Sequence, residues 1–140
     1  MRGSCLCGGV AFEADSVQLL VQCHCSLCRK SHGTAFRAGA MVPAGAFRWL
    51  SGDDLLRVYR APSGYTAPFC RICGSTAPWV SEEYDAVFVP CGLFDGPVDR
   101  SYDFHVFVGS KAPWWEISDS LRRFEEYPPG LGPKSEGSHS

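Results

Sequence analysis

The sequence lacks the features that mark several large classes of protein. It contains no long basic run, and its formal net charge is only −2, so nucleic-acid binding has little electrostatic support. Its apolar stretches are too short to cross a bilayer, and residues 1–4 lead into Cys5 without the apolar segment of a signal peptide. We therefore expect a cytoplasmic protein that binds neither nucleic acid nor membrane.

Long helical periodicity is also missing, and short strands are predicted in its place. The 15 glycines and 10 prolines interrupt the chain often, as in a fold made of short strands and turns. Strands are predicted over 10–12, 36–41, 47–50, 55–59, 67–69, 86–89 and 104–108. One helical turn is predicted after Ser118, which would cap a segment that places Leu121 and Phe124 on one side.

These patterns predict one mainly β, mostly antiparallel domain over residues 3–128, held together by metal. The remaining residues, 129–140, are rich in proline, glycine, serine and charge, and we expect them to form a disordered tail.

Cysteine is what the sequence has in excess, with eight in 140 residues. Seven of them fall into three tight clusters: Cys5 and Cys7, Cys70 and Cys73, and Cys23, Cys25 and Cys28. The even total would allow a disulfide framework, but cysteines one or two residues apart form strained bridges, and a cytosolic setting keeps thiols reduced. Metal ligands are therefore the favoured interpretation.

Two of the clusters together supply four thiolates, the closed shell of a structural zinc site. Cys5 and Cys7 must lie in a bend to bring their sulfurs together, and the glycines at 8 and 9 allow one. Cys70 and Cys73, followed by Gly74, form the turn of a zinc knuckle. Binding of this kind supplies on the order of 10 kcal/mol, which is comparable with the stability of a whole domain.

The third cluster supplies three thiolates and leaves the fourth position of a zinc ion open. His32, His105 or Cys91 could complete a second structural site, or an incoming thiol could bind there. Three nearby cations are candidates to pair with the carboxylates of an acidic thiol ligand: Arg29, Lys30 and Arg37. Solvated surface charge is the alternative for these side chains.

Two further residues allow more than one interpretation. Cys91 follows Val87 and Val89 in an alternating pattern, which favours a small buried side chain over a ligand or redox partner. His105 lies among apolar residues, and both a buried core histidine and a site-lining histidine fit that position.

Several segments resemble, in the same order, the glutathione-dependent formaldehyde-activating enzyme family, which includes the centromere protein V group. They are Cys5-Leu-Cys-Gly-Gly-Val-Ala-Phe12, Cys23-His-Cys-Ser-Leu-Cys-Arg-Lys30, Phe69-Cys-Arg-Ile-Cys-Gly74, Cys91-Gly-Leu-Phe-Asp95, His105-Val-Phe107 and Lys111-Ala-Pro-Trp114. The resemblance implies an Mss4-like β fold with two zinc ions. One ion would be bound by Cys5, Cys7, Cys70 and Cys73, and the other by Cys23, Cys25 and Cys28 beside a glutathione site.

The same resemblance implies an activity. Members of the family add glutathione to formaldehyde and form S-hydroxymethylglutathione, which is a carbon–sulfur lyase reaction in reverse. The expected small-molecule partners are therefore a glutathione-like thiol and an aldehyde, and no oligomeric state is predicted. Two other classes remain as hypotheses, namely a zinc-stabilised binding module without chemistry and a thiol redox sensor. A fourth protein ligand at the second site would favour the module.

Overall fold

The computed structural model describes residues 1–132, and these fold mainly into short β-strands. In chain order the elements are β1 (Arg2–Ser4), β2 (Ala11–Ala14), β3 (Leu19–Cys23), α1 (Ser26–His32), β4 (Arg37–Pro43), β5 (Phe47–Ser51), β6 (Leu56–Arg60), β7 (Thr66–Cys70), β8 (Trp79–Ser81), β9 (Ala86–Pro90), β10 (Phe104–Val106) and β11 (Arg122–Arg123). Turns of 3₁₀ helix occur at Ala44–Ala46, Asp53–Leu55, Cys91–Leu93 and Val108–Ser110. No helix within 1–132 has the length and apolar character needed to cross a membrane.

The described strands form three sheets. One has the order β1-β2-β5, one is the hairpin of β6 and β7, and the largest has the order β11-β10-β3-β4-β9-β8. Strand pairs within 1–132 are antiparallel, except that β10 runs parallel to both β3 and β11. The mainly β, antiparallel fold predicted from the sequence is confirmed, with a parallel edge that the sequence pattern did not indicate.

The main hydrophobic core lies between the three-stranded sheet and one face of the six-stranded sheet. Its buried members are Phe12, Ala14, Leu20, Ala40, Val42, Val87 and Val89. The Phe12 ring stacks on Phe47 with centroids 5.5 Å apart and meets the edge of Phe94 at 5.6 Å. Gly3 makes room for this ring, because a Cβ at that position would lie 2.2 Å from Phe12 Cζ. Burial of such a side chain contributes about 2 kcal/mol.

The opposite face of the six-stranded sheet lines a cavity of about 490 Å³. Side chains alternate along a strand, so Cys23, Arg37 and Gly39 face the cavity while their chain neighbours on β3 and β4 face the other way. The turn of the β6–β7 hairpin, which includes Tyr65, lines the cavity as well, and so does Tyr127 from the C-terminal segment. One sheet face is therefore used for packing, and the other is available for a site.

All seven predicted strands are present, but the helix predicted after Ser118 is wrong. The backbone there instead leads to β11, whose Arg122 and Arg123 pair with Phe104 and His105 of β10. The Asp119 carboxylate accepts a hydrogen bond from the Leu121 amide at 3.0 Å, so this side chain holds a turn rather than a helix.

The tail predicted for residues 129–140 falls mostly outside the described residues. Within the described part, the Leu131 carbonyl oxygen accepts a hydrogen bond from the Tyr84 hydroxyl at 3.1 Å. The disorder predicted for 133–140 lies beyond the residues that the structure describes.

Candidate metal centres

The first group consists of the four sulfurs of Cys5, Cys7, Cys70 and Cys73, which lie within 4.8 Å of one another. The Cys7 sulfur is 3.5 Å from that of Cys5 and 3.9 Å from that of Cys70. Four thiolates in a tetrahedron around zinc, with bonds of about 2.3 Å, lie about 3.8 Å apart. The donor set and its spacing therefore fit a tetrahedral zinc ion.

Two similar turns bring these sulfurs together. In the first turn, Gly8 donates its amide to the Cys5 carbonyl at 2.9 Å, and Val10 donates its amide to the Cys5 sulfur at 3.3 Å. In the second turn, Gly74 donates its amide to the Cys70 carbonyl at 2.8 Å. Gly8 and Gly74 have φ values of 79° and 76°, a left-handed conformation that a residue with a side chain rarely adopts.

Ser75 connects the two turns and was not singled out from the sequence. Its hydroxyl oxygen accepts the Leu6 amide at 2.8 Å and lies 3.2 Å from the Cys73 sulfur. Hydrogen bonds from the Ser75 side chain and backbone lower the pKa of Cys73 to about 5, which prepares this sulfur to bind a cation. Its position two residues after the last cysteine of the cluster was the available sequence signal.

The second group consists of the sulfurs of Cys23, Cys25 and Cys28, which also lie within 4.8 Å of one another and are all buried. Cys23 ends β3, and Cys25 caps α1 by accepting the Cys28 amide on its sulfur at 3.2 Å. Within residues 1–132, no fourth histidine, cysteine or carboxylate joins this group. Three thiolates in this arrangement fit a zinc site with one open position.

The three thiols by themselves share a negative charge unevenly. Hydrogen bonds from Cys23 and Cys25 hold the pKa of Cys28 far below its usual value, and interactions with Cys25 and Cys28 raise the pKa of Cys23. Three adjacent thiolates would repel one another in a buried site. A bound cation removes this conflict, which is why such a cluster suits a metal.

His24 and His105 belong to a buried polar chain rather than to the thiol cluster. His24 Nε2 lies 2.9 Å from His105 Nδ1, and His105 Nε2 lies 2.9 Å from both carboxylate oxygens of Asp119. The two rings are 0% and 1% exposed. Asp119 accepts from His105 Nε2, so His105 Nδ1 can accept the Nε2 proton of His24. His105 is therefore a buried core histidine and not a site-lining one.

The other two candidates for a fourth ligand also lie outside the cluster. His32 lines the cavity, and burial lowers its pKa to about 4, so its ring is neutral at pH 7. Cys91 begins a 3₁₀ turn just after β9 ends at Pro90, so it leaves the strand pattern of Val87 and Val89. It nevertheless packs against the main core, and burial raises its pKa to about 11.

The three cations predicted beside the site occupy different positions. Arg37 lines the cavity and is the cross-strand partner of Cys23. Arg29 and Lys30 lie on α1 and are not among the cavity-lining residues. Lys30 is exposed, whereas Arg29 is half-buried and its Nε has no hydrogen-bond partner among the described residues.

Tyr65 is a site residue that sequence reasoning missed. Its hydroxyl donates to the Cys28 sulfur at 3.7 Å, and its ring packs partly buried against the cluster. Nothing in the local sequence pairs residue 65 with residue 28, because the contact depends on how the β6–β7 hairpin folds over the sheet.

Comparison with known proteins agrees with these features. The sequence model of the family described as "Glutathione-dependent formaldehyde-activating enzyme" matches residues 1–110. A Halomonas elongata protein named "Putative glutathione-dependent formaldehyde-activating enzyme" is 29% identical over 140 aligned residues, covering 91% of this chain and 88% of its own length. A crystal structure of a Rhodobacter sphaeroides protein is similar with a TM-score of 0.53 at 26% identity, covering 71% of this chain and 92% of that one. The chain belongs to the glutathione-dependent formaldehyde-activating enzyme family.

Proposed function

We propose that the protein adds a glutathione-like thiol to a small aldehyde such as formaldehyde, reversibly, at Cys23, Cys25 and Cys28. The observation that carries this proposal is a three-sulfur group with no fourth protein donor among the described residues, of which Cys23 lines a cavity of about 490 Å³. A cavity of this size is typical of sites for small molecules. A binding module would have no need of an open coordination position.

Zinc is the cofactor in this proposal, at two sites with different roles. The ion bound by Cys5, Cys7, Cys70 and Cys73 would be structural. When bound by the second group, zinc would lower the pKa of a thiol at its open position, so that the thiol is held as a thiolate near neutral pH.

The reaction needs a new carbon–sulfur bond and one proton on oxygen. The thiol sulfur bonds to the carbonyl carbon, the π electron pair moves to the oxygen, and that oxygen takes one proton in exchange for the proton lost by the thiol. Tyr65 is suited to this step, because its hydroxyl lies 3.7 Å from the Cys28 sulfur and can donate a hydrogen bond to a developing oxyanion.

The remainder of a glutathione-like ligand would occupy the cavity. Arg37 is the one lysine or arginine among the described residues that line it. Arg29 and Lys30, on the neighbouring helix, are proposed as contacts for a carboxylate that extends beyond the cavity. A cytoplasmic location is part of this proposal, and the eight free cysteines are compatible with a reducing compartment.

Calorimetry with zinc-loaded protein tests the proposal. Glutathione should bind with an affinity about tenfold higher than that of S-methylglutathione, or higher still, because the thioether cannot become a thiolate. Cys28→Ser should remove this preference, while Cys91→Ala, at the cysteine outside both groups, should keep it. Incubation with glutathione and ¹³C-formaldehyde, followed by NMR, should show faster S-hydroxymethyl formation with the parent than with Cys28→Ser. Equal affinity for thiol and thioether would refute the assignment and favour a binding module.

A further inference from the structure

Arg37 is the cross-strand neighbour of Cys23, a member of the second sulfur group. In the β3–β4 pair its Cα is opposite that of Cys23, and both residues face the cavity. Side chains opposite each other in an antiparallel pair have Cβ atoms about 5 Å apart. Tyr65, which contacts the Cys28 sulfur, lines the same cavity.

The guanidinium of Arg37 lies over Gly39 on the same strand. A Cβ at Gly39 would lie 3.1 Å from Arg37 Nε and 3.4 Å from its Cζ, so the absence of a side chain at Gly39 leaves room for the guanidinium. The Nε atom is buried and has no hydrogen-bond partner among the described residues. No ion pair found within 1–132 includes Arg37, so its charge is not matched by a carboxylate there.

With zinc bound, the charge of the proposed site would favour a cation close to it. Three thiolates around a divalent cation carry a net charge of −1, and a fourth thiolate from the ligand makes it −2. A buried negative charge without a counter-ion is costly, and a cation held close to it offsets that cost.

We infer that Arg37, held over Gly39, is the charge partner of the three-sulfur centre and stabilises an anionic sulfur ligand there, whether or not that ligand carries a carboxylate. The inference rests on the proposed function and gives Arg37 a positioning role different from the carboxylate contact expected from the sequence. The centre would then accept small thiols as a class, and recognition of glutathione's carboxylates would fall to other groups.

Two thiols can show whether Arg37 stabilises the sulfur of the ligand or instead binds its carboxylates. Glutathione carries carboxylates and 2-mercaptoethanol carries none, and both can be titrated calorimetrically into zinc-loaded protein. Arg37→Gln should weaken the binding of both thiols by the same factor, about tenfold or more. The reason is that it removes a positive charge that would stabilise the bound thiolate sulfur. Arg37→Lys keeps the charge and should restore both affinities to within about threefold of the parent. Arg48→Gln, which alters an exposed arginine paired with Glu13 and Asp15, is the matched control and should change neither.

Each other outcome is decisive. Loss of glutathione affinity alone in Arg37→Gln would make Arg37 a carboxylate receptor and overturn the inference, and so would unchanged affinity for both thiols. A parent that binds neither thiol would instead refute the proposed function. If Arg37→Gln does not fold with two zinc ions, Gly39→Val gives the same test, since it keeps the charge and displaces the guanidinium. Unchanged affinity for both thiols in that variant would also overturn the inference.

Discussion

Individual cysteines in this protein differ widely because their neighbours differ. Ser75 lowers the pKa of Cys73 to about 5, whereas burial against the core raises that of Cys91 to about 11. The first change suits a metal ligand and the second suits a packed, unreactive thiol. Residue type and spacing identified the clusters, but these opposite shifts depend on contacts that only the fold creates.

Cys91 should therefore react slowly with thiol reagents in the zinc-loaded protein. An ordinary thiol becomes a thiolate near pH 9, but Cys91 stays protonated until about pH 11. The rate of its alkylation by iodoacetamide should therefore rise at a pH about two units higher than that of an ordinary thiol. The same shift predicts that its contribution to stability is complete below pH 9 and is lost as the pH rises towards 11.

Mass spectrometry of the Cys91 peptide at a series of pH values measures this rate. Free glutathione in the same tubes is the reference thiol, and Cys91→Ala identifies the labelled site. A half-maximal rate at or below pH 9 would show that the thiol is not held in a buried environment.

At the scale of elements, the predicted strands were those with a clear apolar pattern. β4 and β9 were found because Ala40, Val42, Val87 and Val89 alternate with cavity-facing residues. β3 was missed because Gln22 occupies a buried position on it, and α1 was missed because seven residues are too few to show helical periodicity. The spacing of cysteines predicted both sulfur groups. The cavity could not be predicted, because it requires the β6–β7 hairpin to cover the sheet.

The chain of Asp119, His105 and His24 connects three elements: the segment before β11, β10 and the bend between β3 and α1. Replacing His105 by Ala should destabilise the protein by about 2 to 3 kcal/mol, because it leaves the buried His24 Nε2 without a partner and opens space in the core. Asp119→Asn should cost less, about 1 kcal/mol, since this side chain is 41% exposed.

Urea unfolding of zinc-loaded protein measures these differences as shifts of the midpoint at constant slope. Asp99→Asn, at an exposed position, is the control for the loss of a carboxylate. If His105→Ala unfolds at the same urea concentration as Asp99→Asn, the hydrogen bonds that link Asp119, His105 and His24 contribute nothing to the stability of the protein.

For the whole molecule, the two sulfur groups connect very different lengths of chain. Cys7 and Cys70 are 63 residues apart, so the first group joins the turn before β2 to the end of the β6–β7 hairpin. Within residues 1–132, that hairpin pairs with neither of the other two sheets through a strand ladder. A metal ion bound by the first group would therefore hold in place the element that carries Tyr65 over the cavity. The second group lies within six residues at the end of β3 and cross-links no distant elements.

Two zinc ions should consequently leave the protein at different chelator concentrations. The three-sulfur group should lose its ion first at equilibrium, because it offers one fewer thiolate and its emptying leaves the sheets joined. The four-sulfur group should lose its ion only as the protein unfolds. The exposed Cys7 gives a chelator access to this group, but access governs the rate of removal and not the equilibrium.

Metal analysis and circular dichroism at each chelator concentration, after equilibration, test this order. Cys28→Ser should bind one zinc ion and keep the parent's spectrum, whereas Cys70→Ser should lose β structure along with its structural ion, since it removes the long-range link. A parent that never binds more than one zinc ion in excess metal would refute the two-site assignment. Loss of β structure with the first ion released would reverse the roles given to the two groups, because the ion whose removal unfolds the sheets is by definition the structural one.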